Sequence, residues 1–237
     1  MDAGDFFWSQ EEPAELRAEF TARALKMLGY DAMNVADGEL GYGLPFLQRF
    51  RDSIQPGFIG SNTFVGKEYA WKPYHTKTVN GVKIGVVGVV SAGFTDPART
   101  GADGIEVRDM VSSLKAVLPA LKKETGLVVL LSHAGWDESV RLANEVDGID
   151  VIIVGHQYYY DFEPAVVHGK ILLKSSMGGK HVGVIRIWLD RNGKIERQES
   201  FLKELTPSVA SDPEFDALEK EFETQRNLAK RRTSGNR

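Results

Sequence analysis

The sequence predicts an α/β fold with a site along the carboxyl edge of its sheet, on three observations. Apolar runs at Leu127 to Leu131 and Val151 to Val154 each lead directly into a polar segment bearing His. These are Ser132-His133-Ala134-Gly135 and Gly155-His156-Gln157-Tyr158. Ala3-Gly4-Asp5, Ala36-Asp37-Gly38-Glu39 and Asn62 in Gly60-Ser61-Asn62 stand in the same relation to short apolar stretches. Amphipathic helical patterns alternate with the strands. Ligands at the carboxyl ends of strands are how an open α/β sheet builds a site. Carboxylate with imidazole suits Zn, Mn or Fe.

The elements follow in order. Glu11, Glu12 and Pro13 favour a helix start. Leu16, Phe20, Ala24, Met27 and Leu28 continue it at helical spacing, and Gly29 closes it. Ala32 to Val35 reads as a short strand and Pro45 to Arg51 as a helix. Trp71 to Val79 and Val82 to Val90 flank Asn80-Gly81, a hairpin turn pair. Val111 to Lys123 is an amphipathic helix with Val111, Leu114, Val117, Leu118 and Leu121 on one face. Strand 127–132, helix 138–146 and strand 151–154 come next. The style then changes to a β-meander of antiparallel strands: 165–167, the turn His168-Gly169, 171–174, 181–189 and 194–205. Asp212-Pro213 opens a polar helix to about Lys230, and Arg231 to Arg237 reads as a disordered basic tail, solvated rather than a binding patch.

Composition narrows the function classes. A chain of 237 residues with 42% apolar content can bury a sizeable core in one large or two small domains. A net charge of -4 gives no basic field for nucleic acid. The absence of Cys excludes disulfides and thiolate metal sites. No apolar run approaches the ~20 residues of a membrane-spanning helix, and no signal peptide is legible. Asp5 lies only five residues in, so its delivering strand is nearly absent. Either the chain begins late or Asp5 is a frayed end.

The ordered motifs resemble the metal-dependent phosphoesterase domain of the 5′-nucleotidase and UDP-sugar hydrolase family, over roughly residues 2 to 205. They are Asp2-Ala3-Gly4-Asp5-Phe6-Phe7, Leu28-Gly29-Tyr30-Asp31-Ala32 leading to Ala36-Asp37-Gly38-Glu39-Leu40-Gly41-Tyr42-Gly43, Ser132-His133-Ala134-Gly135, and Gly148-Ile149-Asp150 leading to Gly155-His156. The resemblance implies a four-layer αββα sandwich, here with its first strand missing, and a two-metal site in which a bridging hydroxide attacks phosphorus.

Carried over by position, Asp5 matches the bridging Asp, and His133 and His156 match two ligands of the second metal. Asp37 stands where the family has Asn. The expected metal set is therefore Asp5, Asp37, His133 and His156. The other metal position is eroded. The family's Asp-x-His strand has no counterpart, Tyr158 replaces a final His or Gln, and Gly38 replaces the His that stabilises charge on the reacting phosphate. Gln157 would point away from Tyr158 on an extended backbone. One divalent ion (Zn, Mn or Fe) or none is expected rather than two.

Without the resemblance, Asp37-Gly38 would read as a plain turn and each His as a half-buried structural group. Asn62 reads as a turn cap, Tyr158-Tyr159-Tyr160 as packing rather than a base-stacking platform, and Glu39 and Tyr42 as structural. His75, His168 and His181 have no ligand-spaced partners. The expected function is a metal-dependent phosphoester hydrolase of the 5′-nucleotidase type, acting on a phosphate ester or nucleotide. The alternative is a non-catalytic binding or scaffold protein of the same fold. Neither nucleic acid nor membrane insertion is expected, and the resemblance implies a periplasmic or extracellular location.

Overall fold

The computed structural model describes residues 1–7, 13–51, 54, 57–157, 163–174 and 178–234. Glu11 and Glu12, Tyr158 to Tyr160 and the last three residues of the tail lie outside them. Helix α1 (Ala14–Leu28) ends on Gly29 at φ 63, the left-handed cap its sequence promises. Short elements follow: β1 (Met33–Asn34), α2 (Asp37–Leu40), α3 (Leu44–Arg51), β2 (Phe58–Ile59), β3 (Thr63–Val65) and β4 (Glu68–Tyr69). The hairpin β5 (Tyr74–Val79) and β6 (Val82–Val90) turns at Asn80-Gly81, both at positive φ. It begins after Pro73, which has no N–H for a ladder. Next are α4 (Pro97–Ala102), β7 (Ile105–Val107), α5 (Met110–Lys122), β8 (Leu127–His133), α6 (Gly135–Glu145) and β9 (Val151–Val154). The last are β10 (Ala165–Val167), β11 (Lys170–Lys174), β12 (His181–Leu189), β13 (Ile195–Glu204) and α7 (Pro213–Ser234).

Alternation along β8 fixes the layers. Val128 and Leu130 join Leu114, Leu118 and Leu121 of α5, Leu142 of α6 and Ile152 of β9 in one cluster. Leu127, Val129 and Leu131 face the opposite way. They meet Ile59 of β2, and Ile185, Ile187 and Leu189 of β12. On the far side of β1 and β2, Met33 and Phe58 pack on Ala18, Ala22 and Leu25 of α1 and Leu47 of α3. Helices, main sheet, smaller sheets and helices therefore stack as an αββα sandwich. The main sheet has the order β10-β11-β9-β8-β6-β5, with β6, β8, β9 and β11 parallel.

Three expectations are corrected. The meander divides: β10 and β11 join the main sheet, where β11 runs parallel to β9, while β12 and β13 pair as a separate hairpin. The terminal helix runs to Ser234, so Arg231 to Ser234 are helical, and it packs on α1 through Phe20–Phe222 and Arg23–Glu221. The stretch between 60 and 107 holds a three-stranded sheet, β4-β3-β7, and the helix α4, none of which the periodicity revealed.

Candidate metal centre

His133 is the last residue of β8, on the inner face that Leu127, Val129 and Leu131 share. It is 1% exposed. Its Nδ1–H donates to the Ala3 carbonyl at 3.1 Å, which leaves Nε2 as a lone pair aimed inward. A backbone carbonyl partner that fixes the tautomer is the usual support of a metal-ligating imidazole. The same Ala3 carbonyl accepts from Nδ2 of buried Asn34 at 3.1 Å. The approach is close: a Cβ on Gly4 would lie 2.3 Å from the Ala36 Cβ, and one on Gly88 2.3 Å from Asn34 Oδ1.

Asp5 is not frayed. Its Oδ1 accepts the Gly38 N–H at 2.8 Å, and its own N–H donates to Glu39 Oε2 at 2.9 Å. Glu39 also accepts from Phe7 (2.8 Å) and Ala36 (3.0 Å), so one fully buried carboxylate ties the chain start to α2. Burial pushes the Glu39 carboxyl up to about 7, against the pull of the Phe7 N–H. Asp37 opens a single helical turn rather than a plain turn.

Asp5, Asp37, His133 and His156 each offer a ligand atom, all within 4.8 Å of one another. His133 Nε2 lies 3.0 Å from Asp37 Oδ1, 3.3 Å from Asp5 Oδ2 and 3.1 Å from His156 Nδ1. His156 Nδ1 lies 3.7 Å from Asp37 Oδ1 and 3.8 Å from Asp5 Oδ2. With His133 neutral, Asp37 Oδ1 is buried and has no hydrogen donor. Two carboxylate oxygens and the His133 Nε2 lone pair held this close repel unless a cation or a proton sits among them. Metal bonds of about 2.1 Å put neighbouring ligand atoms roughly 3.0–3.4 Å apart, the range of the three separations from His133 Nε2, so the donor set fits a divalent metal ion. In the metal-free protein a proton takes that role. Burial works against it, but hydrogen bonds to Asp37 and Asp5 outweigh burial and raise His133 to about 10. The same contacts hold Asp5 below the usual carboxylate range despite its burial.

Two site residues are backbone outliers: Asp5 at φ 68 and His156 at φ 51. The other non-glycine cases among the described residues, Asn80 and His168, sit before glycine in hairpin turns. Such conformations cost about 1–3 kcal/mol and persist where surroundings impose them. The bend at His156 also removes the extended backbone on which Gln157 was expected to point away. Both polar atoms of the Gln157 amide are buried without a partner.

The four expected ligands are thus brought together. Asn62 is not a fifth. Its Nδ2 donates to Val90 O (2.8 Å) and Arg108 O (2.9 Å), and its Oδ1 accepts the Val90 N–H (3.1 Å). His75 in β5, His168 in the β10–β11 turn and His181 in β12 stand outside the cluster, and Tyr158 lies outside the described residues. Phe94 was missed. Its ring stacks on His156 with centroids 3.7 Å apart and planes at 14°. The signal was available, since Ser91 to Phe94 follows the carboxyl end of a strand, as the ligands do.

No family model matches the chain. The uncharacterized metallophosphoesterase YunD of Bacillus subtilis is 32% identical over 174 residues, 70% of this chain and 36% of that protein. Other relatives carry the names NAD 5′-nucleotidase (Haemophilus influenzae, 32% over 90 residues), apyrase and 5′-nucleotidase. The structure of the sulfate thiohydrolase SoxB from Thermus thermophilus has a TM-score of 0.83 at 21% identity, covering 95% of this chain and 42% of that one. The calcineurin-like phosphoesterase YfkN of Bacillus subtilis has a TM-score of 0.76 at 22% identity, covering 94% and 82%. At these identities the structural likeness concerns the fold. The chain spans 15% to 44% of the length of these curated relatives.

Proposed function

Since the chain belongs to the metallophosphoesterase domains of the 5′-nucleotidase family, we propose that it is a metal-dependent phosphoester hydrolase. In this reading Asp5, Asp37, His133 and His156 hold one divalent ion, and residues 1–205 form the phosphoesterase unit. The observation that carries it is the buried Asp37 Oδ1 set 3.0 Å from His133 Nε2, in a cluster whose four ligand atoms lie within 4.8 Å of one another.

A divalent ion bound there supplies Lewis acidity to a phosphate ester. The chain's own groups prepare the site. Gly38 N–H fixes Asp5 so that Oδ2 faces inward. Ala3 O holds the His133 tautomer. Glu39 fixes the backbone at Asp5 and Ala36 on either side of the cluster. Gly38 offers no side chain to the leaving oxygen. The loss of one such stabilising group costs about 10² to 10³ in rate, so turnover is expected to be slow. Relatives named for NAD and 5′-nucleotides support a nucleotide or related phosphate ester as substrate, and a neighbour titled a 5′-nucleotidase precursor supports a periplasmic or extracellular setting. Among the described residues no helix is long and apolar enough to cross a membrane.

The test is hydrolysis of an aryl phosphate and an aryl phosphodiester with added Mn, beside the Asp5→Ala, His133→Ala double variant. Mn-dependent turnover in the parent alone supports the reading; equal rates in both sink it. Gly38 favours a second reading, a binding protein of the same fold. In that case Mn binds in the parent with no turnover above the double variant.

A further inference from the structure

We propose that Phe94 is a positioning residue that holds the His156 imidazole in the orientation needed to ligate a divalent ion; this rests on the single-ion reading above. The His156 backbone is bent at φ 51, and an imidazole ring turns easily about its second side-chain torsion. A flat contact fixes the plane of that ring, and with it the line along which its Nδ1 edge lies toward Asp5 and Asp37. His133 meets the ring edge-on, with centroids 5.0 Å apart and planes at 79°. Phe94 covers a flat face at 3.7 Å and 14°.

The Phe94 loop is shaped for this. It leaves β6 with the Ser91 N–H donating to His133 O at 3.0 Å, so it starts on the backbone of a neighbouring ligand. It then closes on itself: Phe94 N–H donates to Ser91 O (3.1 Å), Gly93 N–H to Ser91 Oγ (3.3 Å) and Thr95 Oγ1 to Ala92 O (3.0 Å). Gly135 runs beneath both rings: a Cβ there would meet Phe94 Cζ at 3.7 Å and His156 O at 3.5 Å, ordinary contact distances. Phe94 is half-buried, so truncating it opens no cavity in the core.

The experiment measures Mn affinity by calorimetry in the parent, Phe94→Ala, Phe94→Leu and Phe94→Tyr. Stacking of this kind is expected to change affinity roughly threefold to tenfold. Phe94→Ala should lose that factor, Phe94→Tyr should restore it, and Phe94→Leu, which has volume but no flat face, should not. Parent-like affinity in Phe94→Ala, or equal affinity in the Leu and Tyr variants, overturns the proposal. If the parent binds no Mn, the single-ion reading fails by itself, and a metal-free measurement still decides the role of Phe94. The His156 ring protons should lie upfield in the parent and lose that shift in Phe94→Ala, with weaker nuclear Overhauser effects to the His133 ring. Unchanged shifts and contacts overturn the positioning role.

Discussion

His133 Nε2 and Asp37 Oδ1 face each other at 3.0 Å, two buried acceptors in the tautomer that the Ala3 carbonyl enforces. The site is therefore completed by a positive charge, either a proton or an ion.

The proton and the ion compete, which sets a pH dependence. The folded pKa of His133 is about 10, against an ordinary 6.5. Its contribution to metal-free stability is thus full below pH 6.5 and falls away as pH rises toward 10. Thermal unfolding of the metal-free protein should show a falling Tm across that window. Metal affinity should rise over the same range, with about one proton released per ion at pH 7.5. Calorimetry in buffers of different ionisation enthalpy counts the protons; a release of zero contradicts the assignment.

Glu39→Gln keeps size and removes the charge that accepts three backbone N–H groups. An amide NH₂ would then face those donors. The variant should lose about 2 to 4 kcal/mol in urea unfolding, and Mn affinity should drop with it because Asp5 is no longer held.

Gly38→His tests the eroded position by gain of function. Gly38 is not among the residues at positive φ, so the backbone accepts a side chain. If the parent hydrolyses phosphate esters slowly for want of this group, kcat should rise by about 10², with Mn affinity unchanged. A kcat at the parent level places the limit elsewhere.

Gly88→Ala probes support at a distance. A Cβ there would lie 2.3 Å from Asn34 Oδ1. Asn34 would have to shift, releasing the Ala3 carbonyl that also orients His133. We expect a stability loss of about 1 to 3 kcal/mol and weaker Mn binding. Parent-like Mn binding in a folded variant would show that Asn34 does not support the site.

The legible parts of the sequence were those with enough residues to show a period. The helices α1 and α5, the β5–β6 hairpin and the buried strands β8 and β9 emerged because each spans several repeats or carries a turn pair. The strands β3, β4 and β7 hold three, two and three residues, too few to show alternation. The parallel pairing of β11 with β9 is a long-range choice that the turn at His168-Gly169 does not determine. At the site, strand-end position flagged all four clustered residues together with Asn62, and the family resemblance singled out the four. It could not show that Glu39 acts as a backbone acceptor, or that one phenylalanine after Gly93 reaches His156. Both depend on what the fold brings from elsewhere.

The alternation of β8 has one more consequence. His133 shares its face with Leu127, Val129 and Leu131, so a slip of one residue would exchange both the core set and the ligand. An ion bound at this position therefore reports strand register: a misregistered chain can neither fill the space between the sheets nor hold the ion. Metal supplied during refolding should trap the correctly aligned molecules and bias the population toward them.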